Sequence, residues 1–245
     1  MSEKTRFKLF KLFRFAAVVV LLSILIAGLI YLIWYSPVFI VQKVDVKGVN
    51  MSQDEILDIL GADTIGSNIL FWRRQTEHVL DPRFDTFNMR KNYFKRTVQV
   101  TATEREKSFA WCFEASGDCF WTDKTGFIFS PAPASSGGLI TVISDWREMP
   151  PGIGGYVLPA SMNENLNSII AIIGRLDLSV DSIKIENIKL RELLISASNG
   201  PRIIFSLSID PDFTETAIRS LMESKSWTAT KTLNLTVPGR AYPSY

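Results

Sequence analysis

From Phe15 to Tyr35 the chain reads FAAVVVLLSILIAGLIYLIWY, 21 positions without a charged residue. A helix of that length rises about 30 Å, the thickness of a bilayer's hydrocarbon core. The pattern predicts a membrane span over residues 15–35, with Tyr31, Trp34 and Tyr35 in one interface, where aromatic rings prefer to sit. A secretory signal has a shorter apolar run and a small-x-small cleavage site. Here the run continues into Trp34 and Tyr35 with no such site after it, so a retained anchor is expected. No second run of this kind follows.

After Ser36-Pro37 the spacing becomes two. In VFIVQKVDVKG, Phe39, Val41, Val44 and Val46 alternate with polar positions, apart from one irregularity at Gln42-Lys43, and Gly48 closes a predicted strand. SQDEILDILG then switches to helical spacing. Ser52 and Glu55 have the Ser-x-x-Glu separation of a capping box, Ile56, Leu57, Ile59 and Leu60 supply an apolar face, and Gly61 is a stop. A second short helix is expected over Arg73–Leu80, ended by Asp81-Pro82, followed by strands near Phe84–Lys91 and Thr97–Glu104. The order β-α-α-β-β fills about 70 residues, enough for a small domain.

A second block opens with WCFEASGDCFW, where aromatic strands flank the turn-rich EASGD and predict a hairpin. TGFIF and LITVI add strands, with a loop over SPAPASSGG between them, and MPPGIGGY reads as irregular. Between Asn163 and Leu176, Leu166, Ile169, Ile170, Ile173 and Leu176 recur at helical spacing. SIKIENIK, ELLISAS and PRIIFSL are strands. Asp212–Lys225 is a helix with Ala217, Ile218, Leu221 and Met222 on one face, and TLNLTVPGRAY is a final strand ending at Pro238-Gly239. The expected class is α+β, the second block being a mostly antiparallel sheet with two helices.

Charge changes the picture in one respect. Residues 1–14 carry five basic residues (Lys4, Arg6, Lys8, Lys11, Arg14) against Glu3, a net of +4, while the remainder has 22 basic and 24 acidic residues, a net of −2. Basic residues before a span predict a cytoplasmic N-terminus, with residues 36–245 outside the cytoplasm. The near-neutral body lacks the clustered Lys/Arg that phosphate backbones require, so no nucleic acid is expected as a partner.

Catalytic chemistry finds few candidates. His78 is the sole histidine, on the expected second helix, without a readable partner. Glu104 and Glu106 share a strand face as a conceivable acid/base pair, but Arg105 and Lys107 make a solvated strand end the simpler reading. GIGGY lacks the Lys-Ser/Thr of a phosphate loop. No enzyme, cofactor or metal is expected. Cys112 and Cys119 are too far apart for a CxxC redox centre and, with one distant histidine, too few for a metal. In an oxidising compartment a structural disulfide on the hairpin is expected; free thiols are the alternative.

Taken together, VQKVDVKGVNMSQDEILDILG, SNILFW, VQVTATEREKSFAW, DKTGFIF and TLNLTVPGRAY resemble the FtsQ/DivIB family of bacterial cell-division proteins. The resemblance covers essentially the whole chain. It implies a cytoplasmic tail (1–14), a single span (15–35), a POTRA domain (37–107) and a C-terminal β-domain (108–245). It further implies a non-enzymatic scaffold of the inner membrane at the division septum, whose β-domain binds FtsB/FtsL-type single-pass partners and so acts on septal peptidoglycan synthesis. A terminal strand at a sheet edge can accept a partner strand. On this reading Leu233, Asn234, Leu235, Thr236 and Val237, with Arg240 and Tyr242, form that edge. A membrane-anchored POTRA adaptor in secretion or envelope assembly is the alternative.

Overall fold

A computed structural model of the chain describes residues 3–73, 81–133, 140–224 and 226–245. Helix α1 (Glu3–Tyr35) runs through both the basic tail and the apolar segment, and Arg14–Tyr35 is long and apolar enough to cross a membrane, with a mean hydropathy of 2.9 and none of it buried. Its one hydroxyl in mid-span, Ser23, donates to the Val19 carbonyl oxygen at 2.9 Å, which pairs that donor within the helix. The chain divides into two compact units, Met1–Glu104 and Arg105–Tyr245. This boundary lies three residues before the one expected at 107/108. Arg105 and Glu106 belong with the second unit because they pair there with Asp123 and Lys124.

Among the described residues of the first unit, β1 (Lys43–Lys47), β2 (Phe84–Asn92) and β3 (Thr97–Glu104) form a three-stranded sheet in the order β1-β3-β2. β2 and β3 are an antiparallel hairpin, whereas β1 lies parallel to β3. The first strand is shorter than its alternation suggests, since Pro37–Phe39 turn as a 3-10 helix. Helix α2 (Gln53–Leu60) begins with the expected capping box: the Ser52 hydroxyl accepts from the Glu55 N–H, and the Glu55 carboxylate accepts from the Ser52 N–H at 2.9 Å. Its Ile56 and Leu60 pack with Val41, Ile69, Trp72, Val98 and Val100 into the core of this unit. Gly48 has φ +89°, and a Cβ there would collide with the Ala102 carbonyl oxygen, so the turn leaving β1 excludes any side chain. Of the second helix expected over Arg73–Leu80, residues 74–80 lie outside the described residues, His78 among them.

The described residues of the second unit hold nine strands: β4 (Phe109–Phe113), β5 (Asp118–Thr122), β6 (Ile128–Pro131), β7 (Val142–Asp145), β8 (Val180–Ile185), β9 (Glu192–Ala197), β10 (Arg202–Ser206), β11 (Thr232–Leu235) and β12 (Tyr242–Ser244). They form one sheet in the order β12-β11-β10-β9-β8-β7-β4-β5-β6. Helix α3 (Ala160–Arg175) connects β7 to its parallel neighbour β8, and α4 (Asp212–Glu223) connects β10 to its parallel neighbour β11. Adjacent parallel strands need a crossover, and these helices provide it. Five strand pairs are therefore antiparallel and three parallel.

Register explains why one face of the sheet is apolar across its six central strands. Trp111 lies opposite Ile143, Ile143 opposite Ile183, Ile183 opposite Ile195, Ile195 opposite Ile203, and Ile203 opposite Leu233. This row crosses six strands, and every member is buried in the same core cluster as Leu166, Ile169, Ile172 and Ile173 of α3 and Ile218 of α4. Met222, expected on the apolar face of α4, is instead exposed.

Candidate partner-binding edge

The C-terminal strand departs from its expectation. TLNLTVPGRAY is not one strand: it holds the first arm and the turn of a hairpin and the start of its second arm. Val237-Pro238-Gly239-Arg240 is a turn, closed by the Arg240 N–H on the Val237 carbonyl oxygen at 3.1 Å, with Gly239 at φ +66° after a proline. The chain then returns as β12, pairing Thr232 with Ser244, Leu233 with Pro243 and Asn234 with Tyr242. β11 is thus an interior strand, flanked by β10 and β12, and the expected edge at residues 233–237 is covered along its first half by the chain itself. The physical reason is the core: Leu233 and Leu235 continue the buried apolar row.

The seven residues assigned to this edge separate accordingly. Leu233 and Leu235 are buried. Asn234 and Thr236 are half-buried and bound to each other, the Asn234 Oδ1 accepting from the Thr236 N–H and hydroxyl at 2.9 and 2.7 Å. Val237, Arg240 and Tyr242 are exposed, and the Arg240 Nη1 reaches the Tyr242 hydroxyl at 3.5 Å. Tyr245, outside the expected set, is 65% exposed, and its carbonyl oxygen accepts from the Lys231 Nζ. The edge of the nine-stranded sheet is therefore β12, with no described strand on its outer side. Pro243 removes one N–H donor from this short strand, a device that blunts an edge against indiscriminate pairing. The opposite edge, β6, is bridged by the GIGGY segment: Ile128 and Gly154–Gly155 exchange backbone hydrogen bonds at 2.8 Å, and Phe127 pairs with Tyr156.

Cys112 and Cys119 stand directly opposite each other in the β4–β5 hairpin, with Cα atoms 4.0 Å apart, and are joined as a disulfide. The Ala110 and Glu114 N–H groups both point to β7, so Cys112 between them occupies a non-hydrogen-bonded pair, where facing side chains are closest. Four strands separate this hairpin from β11 and β12, so the bridge is no part of the candidate edge.

Two charged groups are built into the second unit. Asp145, fully buried, accepts from the Trp111 Nε1 at 3.0 Å and the Arg147 Nε at 2.8 Å, and Arg147 also donates to the Val157 carbonyl oxygen at 2.9 Å. Asp123 accepts from Thr125, from the Phe127 N–H and from the Arg105 guanidinium. Burial opposes the charge on Asp123, but the hydrogen bonds from Thr125, Arg105 and Phe127 outweigh it and hold its carboxyl below the ordinary aspartate value. Both carboxylates are held by several hydrogen-bond donors within the second unit. Glu104 ends β3 as an exposed residue, and Glu106 pairs with Lys124 at 3.3 Å. Among the described residues no cluster of three or more His, Cys, Asp or Glu side chains is placed to hold a metal. No protein-family model matches the chain, and no curated protein is significantly similar to it.

Proposed function

We propose that the chain is a non-enzymatic, membrane-anchored scaffold of the FtsQ/DivIB type, comprising a cytoplasmic tail, one span, a POTRA domain and a β-domain that binds FtsB/FtsL-type single-pass partners at the division septum. The observation that carries this reading is the free outer side of β12 at the end of a nine-stranded sheet, flanked by exposed Tyr242, Tyr245, Arg240 and Val237. A partner strand laid against β12 pairs with its outward backbone groups while its side chains meet the two tyrosines and the arginine. The apolar helix α1 and the β1-α2-β2-β3 order agree with the same reading.

The test is co-purification of the full chain with FtsB/FtsL-type partners from the native bacterium, with and without residues 242–245. Ending the chain at residue 241 removes β12 and leaves the buried Leu233 and Leu235 in place, which deletion of β11 would not. The expected result is loss of the partners and undivided filaments or chains. Retention of the partners would exclude the edge, and normal division after depletion of the whole protein would exclude the division role.

A further inference from the structure

Among the described residues of 36–104, the large apolar side chains that stand exposed are Val38, Ile40, Leu70, Phe71, Tyr93 and Phe94, and Phe94 is exposed as fully as in an extended chain, at 101%. They are not scattered. All six lie on three segments: residues 37–40 directly after α1, the turn at 68–72, and the β2–β3 turn at 92–95. These segments are tied to one another and to the end of α1. The Asn68 Nδ2 donates to the Ile33 carbonyl oxygen at 2.7 Å, and the Phe71 ring lies 5.1 Å from that of Trp34. Ile40 bridges to Asn68. The Arg96 Nη1 donates to the Pro37 carbonyl oxygen at 3.1 Å, and the Lys91 Nζ donates to the Ile69 and Trp72 carbonyl oxygens.

Charge follows the same division. From Thr86 to Thr103 the β2–β3 hairpin holds Arg90, Lys91, Lys95 and Arg96 and no acidic residue, whereas α2 carries Asp54, Glu55 and Asp58. One end of this unit is therefore aromatic and cationic. It is the end from which the apolar helix leaves.

We propose that this end rests on the lipid surface, with Phe71, Tyr93 and Phe94 entering the interfacial zone of the bilayer that α1 spans and Lys95 and Arg96 set against anionic headgroups. The inference rests on α1 being a membrane span. Lipid is the occupant because the helix already brings it there. Trp34 and Tyr35 mark the interface, and a residue bonded to Ile33 or stacked on Trp34 lies at the same depth. Aromatic rings flanked by Lys and Arg are the composition that binds such an interface, by apolar burial together with attraction to anionic lipid. The consequence is that the domain is held against the membrane at several points rather than swinging on residue 36.

The full chain, reconstituted in vesicles of phosphatidylcholine and phosphatidylglycerol, tests this. The native cysteines are bonded to each other, so single added cysteines at N92C, D54C and V20C accept an environment-sensitive fluorophore without reductant. Quenching is then read from nitroxide-labelled lipids. The expected result is strong quenching at 20 and several-fold stronger quenching at 92 than at 54, with the signal at 92 falling to that at 54 when Phe71→Asp and Phe94→Asp are added. Quenching at 20 with equal signals at 92 and 54 overturns the docking and leaves the span intact. Quenching at 92 that survives the two aspartates also overturns it. Absence of quenching at 20 removes the span and the docking with it.

Discussion

Reducing the Cys112–Cys119 bond has a calculable effect, because the loop it closes is short and local. Residues 112–119 are eight positions, and loop-closure entropy for that length is about 8 cal/mol/K, or about 2.5 kcal/mol at 25 °C. Unfolding entropy near the midpoint is about 2.1 cal/mol/K per residue, which over residues 105–245 comes to about 300 cal/mol/K. The quotient predicts that full reduction, or the double substitution Cys112→Ala with Cys119→Ala, lowers the midpoint of this domain by about 8 °C. Both cysteines sit opposite each other in a paired hairpin, so the folded geometry has little to rearrange once the bond is gone. Thermal unfolding of the full chain in detergent, followed by tryptophan fluorescence with and without reductant, measures it. Four of the six tryptophans (Trp111, Trp121, Trp146, Trp227) lie in this domain and dominate the signal. Alkylation of the unfolded, unreduced chain should add no mass. A midpoint unmoved by reduction, or a chain that alkylates at both cysteines before reduction, would refute the staple.

Other substitutions test separate parts of the fold. Asp145→Ala leaves the Arg147 guanidinium and the Trp111 N–H without their buried acceptor and should cost about 3–5 kcal/mol, read as a lower urea midpoint; Asp145→Asn, which keeps an acceptor for Trp111, should cost less. Gly48→Ala forces a Cβ against the Ala102 carbonyl at positive φ, and a loss of at least about 1–3 kcal/mol in the first unit is expected, whereas Gly66→Ala, also at positive φ but in open space, should cost less. Because folding lowers the Asp123 pKa, its contribution is present above the unfolded aspartate value near pH 4 and is lost as pH falls through the folded value. Urea midpoints between pH 5 and pH 3 should therefore fall more steeply for the native chain than for Asp123→Asn, and parallel slopes would remove Asp123 from the acid response.

Local pattern was enough for most of the elements. The capping box at Ser52 and Glu55, the period-two runs that became β3, β9 and β10, and the Leu166–Ile169–Ile173 spacing of α3 each state their own structure, because a helix or strand face is written in neighbouring residues. The apolar run that ends at Tyr35 is equally local. The hairpin that brings Cys112 opposite Cys119 needed only an eight-residue window.

Tertiary structure decided which strand is the edge. AYPSY has no alternation and contains a proline, so nothing local marks residues 242–244 as a strand, and only β11 gives them one to pair with. The same holds for the parallel pairing of β1 with β3 and for the acceptor of the Trp111 N–H, which lies 34 residues away at Asp145. The gathering of Phe71, Phe94 and Trp34 at one end of a domain is also invisible in the chain, since they come from three separate turns and helix ends. Local sequence sets the conformation of each segment because its determinants are a few residues apart. Edges, registers and shared surfaces depend on which segments meet, and that is settled only when the buried row from Trp111 to Leu233 is assembled.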